Sequence, residues 1–227
     1  MKYIYQHLGL GDHIICNGLI RELQKLYGDI TLFVKPIYLQ TVKAMYADNS
    51  RINLVARWDA QVPYFIQEHE IKSEDYIKIG HEFLKQDISF DRSFYEQMGI
   101  DFEKRWSSFF VPRNKERENA LYSRLVLDKD YLFIHAAPEL GHGLKNIPTN
   151  YFKIIPHKNI TDNIIDYCKI IENAKEIHCY QSSFSHLVDS IPTTGKLFLH
   201  MYTKRYNLHP IIEIATYKKE KNWEVIG

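Results

Sequence analysis

Apolar positions along this chain alternate between two periods, and the alternation itself predicts the architecture. Lys2–Gln6 opens as a short β-like segment, and a run follows with apolar residues at Ile15, Leu19, Leu23 and Leu26. Their spacing of four, four and three residues is that of one buried helix face. Ile30–Val34 is continuously apolar, as a strand buried on both faces of a parallel sheet should be, and Pro36 closes it. A helix is expected at Tyr38–Tyr46 and a short strand at Ile52–Ala56. Arg57–Arg105 is less regular and rich in aromatic and charged residues; it predicts a strand at Tyr76–Ile79 and a helix near Arg92–Met98. Trp106–Val111 reads as a strand before the break Pro112-Arg113-Asn114.

Beyond that break the pattern restarts. A charged helix is expected over Lys115–Leu125, then strands at Tyr131–His135 and Tyr151–Ile155. A helix over Asp162–Asn173 keeps Ile164, Ile165, Cys168 and Ile171 on one side. A strand at Glu176–Tyr180 runs into a short helix ending near Ser190, and further strands are expected at Lys196–Leu199 and Ile211–Ala215. Two βα series around a proline-containing break predict an α/β protein of two Rossmann-like halves, 1–112 and 113–227, each with a parallel sheet. One continuous sheet with Lys115–Leu125 as an internal helix is the alternative.

Composition narrows the class. With 29 basic and 28 acidic residues in 227, no global field favours nucleic acid or an anionic membrane. No apolar run approaches the roughly 20 residues that span a bilayer, and the polar start Met1–His7 is not a secretory signal. Cys16, Cys168 and Cys179 are odd in number and lie in apolar surroundings without a CxxC pair, which reads as free thiols of a reducing compartment, the cytoplasm. The 11 histidines form no HExxH or HxH motif, so no metal site is expected. Most read as surface or satisfied interior residues; those at strand ends are the ones of interest.

Candidate chemistry sits after strands, where open α/β sheets bind ligands. The first place is Gly9-Leu10-Gly11-Asp12-His13, a glycine turn with an acidic residue at a helix start. It lacks the third glycine of a dinucleotide fingerprint, and no Gly-Lys-Ser/Thr follows, so it is neither a standard NAD site nor a P-loop. A plain helix cap has the same appearance, and from these residues alone both readings stand. The second place is the long loop His135–Pro148, whose glycines permit close backbone approach and whose Lys145 can neutralise an anion or simply be solvated. The third is Gln181-Ser182-Ser183-Phe184-Ser185-His186 at a strand-to-helix turn. Hydroxyl residues there cap the helix and also offer donors to a phosphate; His186 faces that anion or packs inside.

Taken together, Gly-Leu-Gly-Asp-His-Ile-Ile, then strand-His-Ala-Ala-loop-Lys145-Asn-Ile-Pro, then strand-Gln-Ser182-Ser-Phe-Ser-His186-Leu resembles glycosyltransferase family 9, the bacterial heptosyltransferases. About twenty positions carry the likeness, in the family's order along the chain. The resemblance implies a GT-B architecture: two Rossmann-like domains facing a central cleft, with the N-terminal one on the acceptor side and the C-terminal one holding a nucleotide-diphosphate sugar. It implies metal-independent transfer of the sugar to a hydroxyl of a glycan or glycolipid, with no resident cofactor and at most peripheral membrane contact. Asp12 matches the family's catalytic base, with His13 as the fallback. Lys145 matches the donor-phosphate lysine, and Gly11, Gln181, Ser182, Ser183 and His186 complete the donor-side set.

Two departures stand out. Gln181 replaces the aspartate, and Ser183 the glycine, of the family's Asp-Ser-Gly-x-x-His segment, and Ser-Ser-Phe-Ser is also similar to fucosyltransferase-like GT-B proteins. The chain is shorter than typical heptosyltransferases and closes at Gly227 without their long C-terminal helix. A sugar-nucleotide epimerase or hydrolase, or a catalytically degenerate GT-B-like binding protein, are the competing functions.

Overall fold

A computed structural model of the protein describes residues 1–80, 88–127, 130–136, 143–201 and 220–227. The chain divides into two compact units, one covering Met1–Pro112 and the other running on from Arg113. Each is a parallel sheet with helices, the mixed α/β arrangement expected of Rossmann-like halves. Among the described residues, no helix is long and apolar enough to cross a membrane.

The first unit contains, in chain order, β1 (Lys2–Tyr5), α1 (Leu10–Ile15), α2 (Asn17–Tyr27), β2 (Ile30–Val34), α3 (Leu39–Met45), β3 (Ile52–Ala56), α4 (Val62–Glu68), β4 (Tyr76–Lys78), α5 (Phe90–Gln97) and α6 (Lys104–Ser107). Its strands lie in the order β3-β2-β1-β4, all parallel. All five residues of β2 are buried, which is why its sequence is an unbroken apolar run rather than an alternating one.

Two expectations for this unit are corrected. The amphipathic run after β1 is not one helix: it breaks at Cys16 between α1 and α2. The Tyr95 hydroxyl fills the break, donating to the Ile15 carbonyl (2.8 Å) and accepting from the Leu19 amide (3.2 Å). The break also turns the apolar stripe, so Ile15, Leu19, Ile20 and Leu23 are buried while Leu26 is exposed. The second correction is Trp106–Val111, which is not a strand. Lys104–Ser107 is the short helix α6, and the chain continues without regular structure. Its aromatic residues serve side-chain anchorage instead: Phe102 and Trp106 pack edge to face (5.2 Å), and the Phe110 ring and carbonyl both hold Arg21.

The close approach of α2 to α6 depends on Gly18. A Cβ there would stand 2.0 Å from the Lys104 carbonyl oxygen, a backbone atom that cannot swing aside. Gly18→Ala is therefore expected to cost about 3 kcal/mol in overpacking against roughly 1 kcal/mol gained in helix propensity. The net loss should lower the thermal midpoint by about 5 °C. A variant as stable as wild type would show that the helices do not pack at this distance.

The second unit contains α7 (Lys115–Leu125), β5 (Tyr131–His135), β6 (Phe152–Ile154), a 3-10 turn at Ile164–Tyr167 that leads into α8 (Cys168–Asn173), β7 (Glu176–Tyr180), α9 (Ser183–Ser190), β8 (Lys196–His200) and β9 (Trp223–Ile226). The order is β6-β5-β7-β8-β9, again all parallel. Asn114 caps α7 through the Arg117 amide (3.0 Å). The strand expected at Ile211–Ala215 lies outside the described residues. β9, not anticipated from the sequence, is fastened by Asp189 near the end of α9. Its carboxylate accepts from the Trp223 indole (3.0 Å) and from the amides of Glu220 and Lys221. Lys221 in turn donates to the carbonyls of Val188 and Ile191, closing the C-terminal end of α9.

Candidate functional site

Each unit brings its motif residues to the C-terminal edge of its own sheet, because the loops after parallel strands all emerge there. In the first unit, the segment after β1 reaches Gly9 in an extended conformation (φ −71°, ψ 144°) and α1 begins at Leu10. Gly9 is required by a close approach rather than by a left-handed turn: a Cβ on it would lie 2.5 Å from Asp12 Oδ2. The Asp12 carboxylate thus sits over the bare Cα of Gly9, partly exposed, in the first turn of α1. Gly11 is helical and partly exposed.

His13 is placed differently. Its ring is 0% exposed, with Nδ1 2.9 Å from Gln6 Nε2. Burial first, then the nearby Lys35 ammonium, push its pKa down to about 3. It is a neutral interior ring under the turn.

Further along the same edge, Asp59 follows β3. It accepts from the Lys35 ammonium (2.8 Å) and the Tyr5 hydroxyl (3.1 Å), tying together the chain ends after β1, β2 and β3. Partial burial would raise its pKa, but the Lys35 hydrogen bond and charge hold it below the usual carboxylate range. No local motif announces this three-strand knot, since its members lie far apart in the chain.

In the second unit, Ser182 precedes α9 in extended conformation. Its backbone is capped through Ser185: the Ser182 amide donates to Ser185 Oγ (3.0 Å), which donates back to the Ser182 carbonyl (2.8 Å). The Ser182 hydroxyl is left to pair with His135 Nδ1 (2.8 Å) at the end of β5. His135 stacks on Tyr180 (5.1 Å between centroids) and leans on Phe184 (4.5 Å); burial pushes its pKa down to about 4, so it is neutral at pH 7. Gln181 and Ser183 flank Ser182 and remain partly exposed, whereas His186 faces the buried side of α9. Lys145 is exposed and is followed by Asn146 in the left-handed region (φ 58°), which asparagine tolerates better than most residues. Much of the loop that precedes it, 137–142, lies outside the described residues.

A second histidine pair lies on the same sheet. His178 Nδ1 is 3.1 Å from His200 Nε2, and His178 Nε2 is 3.2 Å from Glu176 Oε2. Burial lowers both imidazole pKa values, that of His200 to about 4. His200 ends β8 whereas His178 lies in the middle of β7, and only the β7–β8 register, which sets Tyr180 beside His200, shows that they meet.

Two parallel α/β units of this kind are the fold that the chain shares with solved structures of glycosyltransferase family 9. No protein-family model and no curated protein matches the chain, but solved structures do. It superposes on the glycosyl transferase family 9 structure from Veillonella parvula DSM 2008 with a TM-score of 0.57 at 12% identity, over 99% of this chain and 86% of that one. TibC, the dodecameric iron-containing glycosyltransferase of enterotoxigenic E. coli H10407, gives 0.53 at 12% identity over 87% of this chain and 57% of its own. The E. coli ADP-heptose lps heptosyltransferase II gives 0.50 at 9% identity over 100% and 90%.

Proposed function

We propose that the protein is a glycosyltransferase that moves a sugar from a nucleotide-diphosphate sugar to a hydroxyl of a glycan or glycolipid, without a metal ion. The observation that carries this reading is the family 9 fold with the motif residues at its sheet edges: Asp12 after β1 in one unit, Lys145 and Ser182 after β5 and β7 in the other. Donor phosphates are assigned to the amides at the start of α9, flanked by Gln181 and Ser183, where the helix dipole favours an anion. The Lys145 ammonium completes that cradle. The His135–Ser182 pair fixes the turn, and the Ser182 hydroxyl keeps hydrogen-bonding capacity for the donor phosphate.

The chemistry follows from where charge develops. As the glycosidic C–O bond breaks, negative charge grows on the leaving β-phosphate. Fixed amide donors and a lysine aimed there stabilise the transition state more than the ground state. Asp12 takes the proton from the acceptor hydroxyl as it attacks the anomeric carbon. TibC has been solved in complex with ADP-D-beta-D-heptose, so ADP-sugars are the first donors to test.

A thermal-shift screen of nucleotides and nucleotide sugars checks the reading directly. A cognate donor binding the native state alone raises the midpoint by mass action, with about 2.7 kcal/mol of stabilisation at a hundredfold excess over Kd. Lys145→Ala is expected to weaken that donor about tenfold by removing a charge-assisted contact. Unchanged affinity would remove Lys145 from the phosphate site, and a screen in which no nucleotide shifts the midpoint would remove the transferase reading.

A further inference from the structure

Trp58 is a large aromatic residue that stands largely outside the core. It is 44% exposed, yet the backbone on either side of it is fixed. The preceding Arg57 amide donates to the Val34 carbonyl (2.8 Å), extending the β2–β3 ladder by one bond. Trp58 itself exchanges two hydrogen bonds with Gln61, its amide donating to Oε1 (2.9 Å) and its carbonyl accepting from the Gln61 amide (2.8 Å). The following Asp59 is clamped by Lys35 and Tyr5. The Arg57 guanidinium is also held, over the Phe65 ring at 5.0 Å. An exposed indole on a backbone fixed at Arg57 and Trp58 starts from an ordered main chain, which reduces the ordering cost of binding a ligand.

Its place in the sheet specifies the ligand. β3 is two strands from β1 in the order β3-β2-β1. Trp58 therefore follows its strand at the same, C-terminal edge of the sheet from which the Asp12 turn follows β1. Beside it, the Asp59 side chain is 46% exposed. Each of its oxygens holds one protein donor, and a carboxylate offers about four acceptor sites in all, so it can still take hydroxyl protons. A flat apolar ring next to an ionised acceptor matches a sugar, whose C–H face is apolar and whose rim carries hydroxyls.

We propose that Trp58 is the platform on which a saccharide ring of the acceptor lies, with Asp59 accepting its hydroxyls; this rests on the glycosyltransferase reading and names the acceptor side of it. Trp58 is a binding and specificity residue and takes no part in bond making. The test uses the full-length protein, fluorescently labelled, on an array of neutral and acidic oligosaccharides, with Trp58→Ala, Trp58→Phe and Tyr27→Ala compared with wild type. Tyr27 is a partly exposed aromatic at the far end of α2, before β2 begins, and controls for general loss of aromatic surface.

Wild type is expected to bind one saccharide class, Trp58→Ala to lose about tenfold in affinity, and Trp58→Phe and Tyr27→Ala to stay within threefold of wild type. Wild-type binding by Trp58→Ala, or no saccharide bound by wild type, overturns the inference. The nucleotide thermal shift is measured on the same proteins. If it is present in wild type and unchanged in Trp58→Ala while saccharide binding fails to appear, the platform falls and the transferase reading stands. If the shift is absent in wild type, the transferase reading falls.

Discussion

Replacing Asp91 with alanine is expected to destabilise the protein by about 3–5 kcal/mol, the cost of leaving a buried charge without its counter-ion. Asp91 and Arg105 are 0% and 1% exposed, and their ion pair joins α5 to α6. The aspartate also accepts from the Arg92 amide (3.0 Å) in the first turn of α5, where a negative charge suits the helix dipole. On the other side, the Arg105 guanidinium lies against the Trp106 ring at 4.9 Å. Both side chains are buried, so a charge left without its partner is out of contact with bulk solvent. Urea denaturation monitored by circular dichroism should show the loss as a lower midpoint. The double replacement Asp91→Leu with Arg105→Met is expected to recover most of it, because removing both charges also removes the desolvation cost. An Asp91→Ala protein within 1 kcal/mol of wild type would mean that solvent enters between the helices. α6 also carries the Lys104 carbonyl against which Gly18 packs, so one ion pair anchors the element that sets the path of α2.

What was legible in the sequence follows from which forces are local. β2, β3, β5 and β7 have the bounds expected from the sequence, most plainly β2 and β5, whose runs are apolar nearly throughout because both strands are buried along almost their whole length. α7 is equally plain, running from an asparagine cap through a charged, strong helix-forming segment. The failures lie where a distant group decides. Nothing near Cys16 announces a helix break; the hydroxyl that satisfies it belongs to Tyr95, 80 residues beyond Ile15. β9 depends on Asp189, whose indole partner Trp223 is 34 residues away. Trp106–Val111 has strand-forming residues, but its aromatics anchor to Phe102 and Arg21 instead of a ladder.

The site divides along the same line. Short motifs at strand ends were visible because glycine, serine and aspartate at a strand-to-helix turn have local causes. Which of their side chains would be available was not. His13 and His186 sit one and four residues beyond Asp12 and Ser182, and both turn inward with the buried faces of α1 and α9. A partner 47 residues away, His135, engages the Ser182 hydroxyl. The residues that organise the edge of the first sheet, Lys35, Asp59 and Tyr5, carry no motif at all; the order of three parallel strands alone makes them neighbours.

Asp12→Asn should lower sugar transfer by about 10²–10⁴-fold, the range a positioned general base contributes, while leaving the nucleotide-induced thermal shift within twofold in apparent Kd. The amide keeps the size of the carboxylate and loses its capacity to take the acceptor proton, so the deficit should fall on kcat rather than on donor binding. Gly9→Ala supplies a second, independent test of placement. Its Cβ would come within 2.5 Å of Asp12 Oδ2, but the crowded atom is the end of a mobile side chain, so the fold should survive while the carboxylate is displaced. Because a misplacement of about 1 Å can cost on the order of a hundredfold in rate, Gly9→Ala is expected to lose much of kcat at an unchanged thermal midpoint. In the double variant the two losses should not add, since a glycine acting only through Asp12 has nothing to position once the carboxylate is gone. Wild-type turnover by Asp12→Asn would end the assignment of the base. Full additivity would instead leave Asp12 as the base and give Gly9 a separate role, such as close backbone approach to the acceptor.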